Sequence, residues 1–170
     1  DLWRIRAPWQ NWAEVTAVDK PEIPPSFVAD YIEQAQQKYF VKKIAMDSYR
    51  FALLARELQR IGYSTESKTI HLVRPSDIMK IQPVIDSLFT NRHFTWGDCP
   101  PLRWATNNTK LVRSGRAAGT DTGNFYYAKI EAKSRKTDPF MALVASMVIE
   151  DALGAGVSYD ELPDLGVITG

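Results

Sequence analysis

Cysteine is almost absent from this chain, since Cys99 is the single cysteine among its 170 residues. One cysteine excludes an intrachain disulfide framework and fits a reducing compartment. No apolar run approaches the roughly 18 residues that indicate a membrane span. The opening segment, DLWRIRAPW, has neither a secretory signal pattern nor an initiator methionine. We therefore expect the chain to be part of a longer polypeptide that is not secreted.

Several common functional motifs are also missing. The residues His71, His93 and Cys99 do not have the spacing of a zinc site. There is no G-x-S-x-G nucleophile elbow. The glycine-rich segment RSGRAAGT lacks the G-K-[ST] ending of a P-loop, which argues against ATP binding within this chain. The formal net charge is only +1, so a nucleic-acid surface would have to come from local clustering of the 21 Lys and Arg residues.

The hydrophobic pattern predicts an α/β domain over residues 1–153, followed by a tail over 154–170. Strand candidates alternate with helix candidates, which is typical of this class. The helices are predicted over 27–39, 48–63, 75–91 with an interruption near Pro83, and from Asp138 onward; the strands are predicted over 40–47, 71–73 and 125–132. Residues 101–112 fit a helix or a strand equally well. Residues 113–124 are polar and rich in glycine, which indicates a loop or hairpin tip.

Two aspartates occupy positions that suit chemistry. Asp47 ends a predicted buried strand, where functional side chains of α/β folds usually emerge. Asp138 precedes Pro139 at the start of a predicted helix, and a helix N-terminus favours an ionised carboxylate. The simpler alternative for each is a helix cap, which stabilises by about 1 kcal/mol. Basic residues lie just before Asp138 and could hold phosphates: Lys129, Lys133, Arg135 and Lys136.

Carboxylates are the ligands that Mg²⁺ and Mn²⁺ prefer. Two-metal hydrolysis of a phosphodiester needs several of them around ions about 4 Å apart. Asp47 and Asp138 are distant in sequence, so only the tertiary fold could bring them together. Asn108 could contact DNA or a metal-bound water, although single asparagines near a loop more often form turns.

Three segments resemble the nuclease domain of phage large terminase subunits. The segment YFVKKIAMDSYRFALLARELQRIGY resembles the family's second-acid region, in which a strand ends in an acid and a helix follows. PPLRWATNNTKL and GNFYYAKIEAKSRKTDPFMALVASM resemble the end of that domain. Together they span most of the chain, and their order and spacing are more specific than any one of them.

The resemblance implies an RNase H-like mixed sheet flanked by helices and an endonuclease that cuts concatemeric double-stranded DNA during packaging. It implies that Asp47 is the second acid and Asp138 the last, with Mg²⁺ or Mn²⁺ as cofactor, two ions in the complete site. The segment 113–124, with Arg113 and Arg116, matches a hairpin that contacts DNA. The implied partners are an upstream ATPase domain, a portal protein and a small terminase subunit, in the host cytoplasm and away from membranes.

One departure from the family concerns the first acid, which lies on the opening strand of the sheet. We expect this chain to begin after that strand, because Asp19 precedes a proline-rich turn and is a poor substitute. The prediction is an incomplete metal site and an exposed strand edge that favours association. The alternative functions are a DNA-binding or motor-docking module that does not cut, and another RNase H-like nuclease of the resolvase or transposase type.

Overall fold

A computed structural model describes residues 24–49, 51–94, 97, 99–113, 124–131, 133 and 135–153. Within these ranges helices and short strands alternate as far as residue 90, as the sequence predicts, and a second helix and two successive strands follow before the last helix. The elements in chain order are α1 (Pro25–Gln36), β1 (Ile44–Asp47), α2 (Phe51–Arg60), β2 (Ile70–Val73), α3 (Pro75–Thr90), α4 (Pro100–Asn107), β3 (Thr109–Arg113), β4 (Phe125–Lys129), α5 (Asp138–Val148) and a final 3₁₀ turn (Glu150–Leu153).

The first sheet joins β1 and β2 in parallel, with Ile44 opposite Ile70 and Asp47 opposite Val73. Parallel neighbours need a crossover connection, which α2 supplies here. A core of Leu58, Tyr63 and Ile70 packs under this sheet. Helix α1 lies against α2, and their surfaces are joined by the ion pair of Arg60 with Asp30. Within the described residues β1 has one hydrogen-bonded neighbour, β2.

The second sheet is an antiparallel ribbon of β3 and β4, in which Thr109 pairs with Lys129 and Arg113 with Phe125. The segment that fitted a helix or a strand is both in turn, because α4 ends at Asn107 and β3 begins at Thr109. Most of the predicted loop over 113–124 and the whole predicted tail over 154–170 lie outside the described residues.

Helix α5 connects the two sheets. It packs against β1, and it also packs against α3 and α4, which contact the ribbon. Its buried residues Phe140 and Val144 belong to the larger core with Ile85 of α3 and Ala105 of α4. The ring of Phe140 meets Tyr127 of β4 edge to face, with the centroids 5.0 Å apart. The position of α5 therefore fixes the placement of both sheets.

The predicted interruption near Pro83 is wrong, because α3 is continuous from Pro75 to Thr90 with Pro83 inside it. Proline removes one helical hydrogen bond, which normally kinks or ends a helix. Here Pro83 lies on the exposed side, while Gln82 and Ile85 beside it are buried against the core. Packing on both sides of the proline outweighs the lost hydrogen bond.

Candidate functional site

Asp47 occupies the predicted position at the carboxyl end of β1, and its side chain is exposed. The backbone N–H of Tyr49 donates a hydrogen bond to Oδ1 of Asp47 over 2.8 Å. This contact shapes the turn between the strand and α2. It leaves Oδ2 without a hydrogen-bond partner among the residues that the structure describes. One carboxylate oxygen is thus fixed and the other is available.

Asp138 does not have the capping position that its sequence context predicted. Thr137 is the N-cap residue of α5, and Asp138 is the first residue of the helix itself. The N-cap carries no side-chain hydrogen bond. The Asp138 carboxylate is exposed and makes no hydrogen bond or ion pair within the described part of the chain. A role as a helix cap therefore does not account for this aspartate.

The two acids lie on elements that touch, because α5 packs against β1. Their carboxylates are hard oxygen donors of the kind that Mg²⁺ and Mn²⁺ prefer, so the chemistry of this donor pair fits a divalent cation. In the described ranges no group of three or more His, Cys, Asp or Glu residues is arranged to hold a metal ion. Asp19 lies outside those ranges. That the metal site is incomplete within this chain stays a prediction.

Asn108 was predicted to contact DNA, but the structure places it inside the fold at 4% exposure. Its side-chain amide donates to the carbonyl of Lys136 over 3.1 Å. The backbone carbonyl of Asn108 accepts from the backbone N–H of Ile130 over 2.8 Å. Asn108 therefore ties the end of α4 to β4 and to the segment that leads into Asp138. A buried side-chain amide that donates to the Lys136 carbonyl suits positioning of that segment and not direct contact with DNA.

The basic residues predicted for DNA lie on the ribbon and on the segment that follows it. Lys133, Arg135, Lys136 and Arg113 are exposed, and Lys129 is half-buried at the end of β4. Arg135 forms a 3.9 Å ion pair with Glu131, which is the single acidic residue between 124 and 137. Arg116 lies outside the described residues.

Sequence reasoning missed Lys110, which is exposed on β3 and pairs with Ala128. The signal that could have found it is alternation along the strand, which puts Lys110 and Val112 on one face of the ribbon. Tyr126 lies opposite Val112 on that same face. This face therefore adds a cation and an exposed aromatic ring to the basic surface.

A histidine and an aspartate beside the first sheet were also missed. Nε2 of His71 lies 3.4 Å from Oδ2 of Asp77, in the first turn of α3. The backbone N–H of Arg74 donates to the same oxygen over 2.9 Å. That hydrogen bond is the main cause of a lowered pKa of the Asp77 carboxyl; desolvation opposes the lowering, and the contact with His71 adds to it. The sequence HLVRPSD, in which a strand leads into a helix, could have indicated the contact between His71 and Asp77.

The described residues have a mixed α/β fold, and this fold is similar to part of a phage large terminase. The structure of the HK97 bacteriophage large terminase is similar to this chain, with a TM-score of 0.60 and 21% identity over 86% of this chain. The match covers 30% of the HK97 protein, so this chain spans less than a third of its length. The fold expected from the sequence resemblance is confirmed.

Other comparisons were negative. No protein-family model matches the chain, and no curated protein matches its sequence. Within the described residues, no helix combines the length and apolar character needed to cross a membrane.

Proposed function

We propose that this chain carries the nuclease site of a large terminase subunit and cuts concatemeric double-stranded DNA with the help of divalent cations. The observation that carries the proposal is the placement of two acids within a terminase-type fold. Asp47 ends β1, and Asp138 begins the helix that packs against β1. Neither carboxylate is used up by an ion pair in the described part of the chain.

Asp47 and Asp138 would hold the cations through their available oxygens. The chemistry that Mg²⁺ or Mn²⁺ supplies when bound is activation of a water molecule and stabilisation of the leaving oxygen. The basic surface of Lys110, Arg113, Lys133 and Lys136 would bind DNA phosphates close to this site. Asn108 would support Asp138 indirectly, because it fixes the carbonyl of Lys136 two residues earlier.

Cleavage of a supercoiled plasmid in Mn²⁺ tests the proposal. We would compare this chain with a version extended toward the N-terminus, each with and without Asp138→Asn. Asparagine has nearly the size and capping ability of aspartate but lacks the charge of a metal ligand. We expect the extended form to cut and Asp138→Asn to abolish cutting while leaving the unfolding midpoint unchanged. Asp151→Asn, an exposed acid just beyond the other end of the same helix, is the matched control.

The outcomes separate the alternatives. Cutting by the 170-residue chain that depends on Asp138 would mean that the site is complete here, and that the expected missing acid is not needed. Loss of stability in Asp138→Asn with cutting retained would contradict the assignment of Asp138. If neither form cuts, the chain is better described as a DNA-binding or motor-docking module.

The remaining partners follow from the same proposal. A large terminase subunit would join this site to an ATPase domain in the same polypeptide, and would work with a portal protein and a small terminase subunit.

A further inference from the structure

The pairing of β1 with β2 divides their side chains between two faces of the sheet. Successive residues of a strand point to opposite faces. Ile44 and Met46 of β1, with Ile70 and Leu72 of β2, pack on the core of Leu58 and Tyr63. The opposite face therefore carries the remaining four residues of the two strands: Ala45, Asp47, His71 and Val73.

His71 and Asp47 are diagonal neighbours on that face. His71 pairs with Ala45, which precedes Asp47 by two residues on the same strand. Neighbouring strands lie about 4.8 Å apart, and two residues along a strand span about 6.6 Å. The Cα atoms of His71 and Asp47 are therefore separated by roughly 8 Å. His71 therefore lies near Asp47 on the same face of the sheet.

The imidazole of His71 is held in place from one side. Oδ2 of Asp77 lies 3.4 Å from Nε2 and is itself fixed by the N–H of Arg74. A carboxylate on one ring nitrogen sets the orientation of the ring. Nδ1 has no partner among the described residues, and a protonated ring donates from both nitrogens. The second nitrogen is therefore available to a ligand.

We propose that His71, oriented by Asp77, contacts a backbone phosphate of the DNA strand that lies at Asp47. This inference rests on the proposed function, since it takes DNA as the ligand at this edge of the sheet. His71 is the residue that touches the phosphate, and Asp77 is a positioning residue. The competing explanation is that the pair only fastens β2 to the first turn of α3.

Binding of this chain to a short DNA duplex over a range of salt concentrations tests the inference. Each phosphate contact by a cation contributes about 0.9 to the slope of log K against log salt. His71→Ala should lower the slope by about that amount, and His71→Lys should restore it. His93→Ala, at the exposed second histidine of the chain, should leave the slope unchanged.

Asp77→Asn separates a ligand contact from a structural tie. Both His71→Ala and Asp77→Asn break the link between β2 and α3, so a purely structural role predicts equal effects on stability and on DNA binding. A phosphate contact predicts that only His71→Ala loses the full contribution to the slope. Equal slopes for His71→Ala and the unchanged chain, or no duplex binding at low salt, would overturn the inference.

A second measurement does not depend on DNA. In NMR spectra with added Mn²⁺ alone, the imidazole signals of His71 should broaden, those of His93 should broaden less, and Asp47→Asn should remove the difference. Equal broadening of both histidines would contradict the placement of His71 beside Asp47. Failure of plasmid cutting would weigh against the proposed function without deciding this point, because neither readout here requires cleavage.

Discussion

The two sheets of this fold differ in composition and in the charge that they expose. The parallel pair of β1 and β2 carries apolar residues on its core-facing side and, at its carboxyl end, Asp47. The antiparallel ribbon of β3 and β4 carries exposed cations and leads into a segment with three more. Asp47 thus lies at the end of the first sheet, whereas the exposed cations lie on the ribbon and on the segment that follows it.

Helix α5 explains how the two regions would act together. The helix begins at Asp138, directly after the basic segment. It packs against β1 and against the helices that contact the ribbon. A carboxylate that works with Asp47 needs rigid support, because metal ligands tolerate little displacement. The buried side of α5 supplies that support to both regions at once. Four predictions test this arrangement, beginning with the largest expected effect.

Phe140→Ala should break the connection between the sheets. Phe140 is 2% exposed and contacts Tyr127 of the ribbon and Phe89 of α3. Removing a buried aromatic ring costs about 3–5 kcal/mol of the free energy of unfolding, measurable by urea denaturation. Ser146→Ala, on the exposed side of the same helix, should change it by less than about 0.5 kcal/mol. A small loss in Phe140→Ala would mean that the sheets are stable without this contact.

Asn108→Ala should loosen the segment before Asp138. The substitution leaves the Lys136 carbonyl without its buried partner, which costs about 1–3 kcal/mol. Faster hydrogen exchange over residues 135–138 would accompany the lower stability. The neighbouring Asn107 is exposed at the end of α4, so Asn107→Ala is a matched control with little expected change. Equal effects of the two substitutions would remove the positioning role of Asn108.

Lys136→Ala should weaken DNA binding, and it tests the contrast in charge between the two sheets. A cation that contacts a phosphate contributes about 0.9 to the salt slope of DNA binding, and the loss should be the same for any DNA sequence. The control is Lys42→Ala, an exposed lysine near the amino end of β1 and away from Asp47. If Lys42→Ala reduced the slope as much, the DNA surface would extend well beyond the ribbon.

Asp77→Asn should have the smallest effect on stability, and the effect should depend on pH. The pKa of Asp77 is lowered from its ordinary value of 3.8, chiefly by the Arg74 N–H. A lowered pKa in the folded state stabilises the protein above pH 3.8, and this stabilisation disappears as the pH falls through the lowered value. The unchanged chain should exceed Asp77→Asn by about 1 kcal/mol near neutrality and converge with it in acid.

Thermal unfolding across pH would measure this difference. Ser76→Ala, which alters an uncharged exposed side chain in the same turn of α3, should keep the pH dependence. A constant gap between Asp77→Asn and the unchanged chain at every pH would contradict the assignment to the Asp77 carboxylate.

The sequence by itself predicted most of the helices and strands, except over 101–112, and the strand and helix that carry the two acids. Local patterns suffice for this, because periodicity and capping depend on residues a few positions apart. The strand that ends at Asp47 and the helix that starts at Asp138 were both readable in this way, and order and spacing along the chain also carried the resemblance to terminases. The exact position of Asp138 in its helix was not readable, because Thr137 is the N-cap residue.

Only the tertiary structure decided which distant residues meet. Packing of α5 against β1 joins the elements of the two acids, and the register of β1 with β2 puts His71 on the face of Asp47. Tertiary packing also kept α3 continuous through Pro83 and drew Asn108 into the fold. The physical reason is that burial and long-range hydrogen bonds stabilise by several kcal/mol in sum, while local preferences amount to about 1 kcal/mol each.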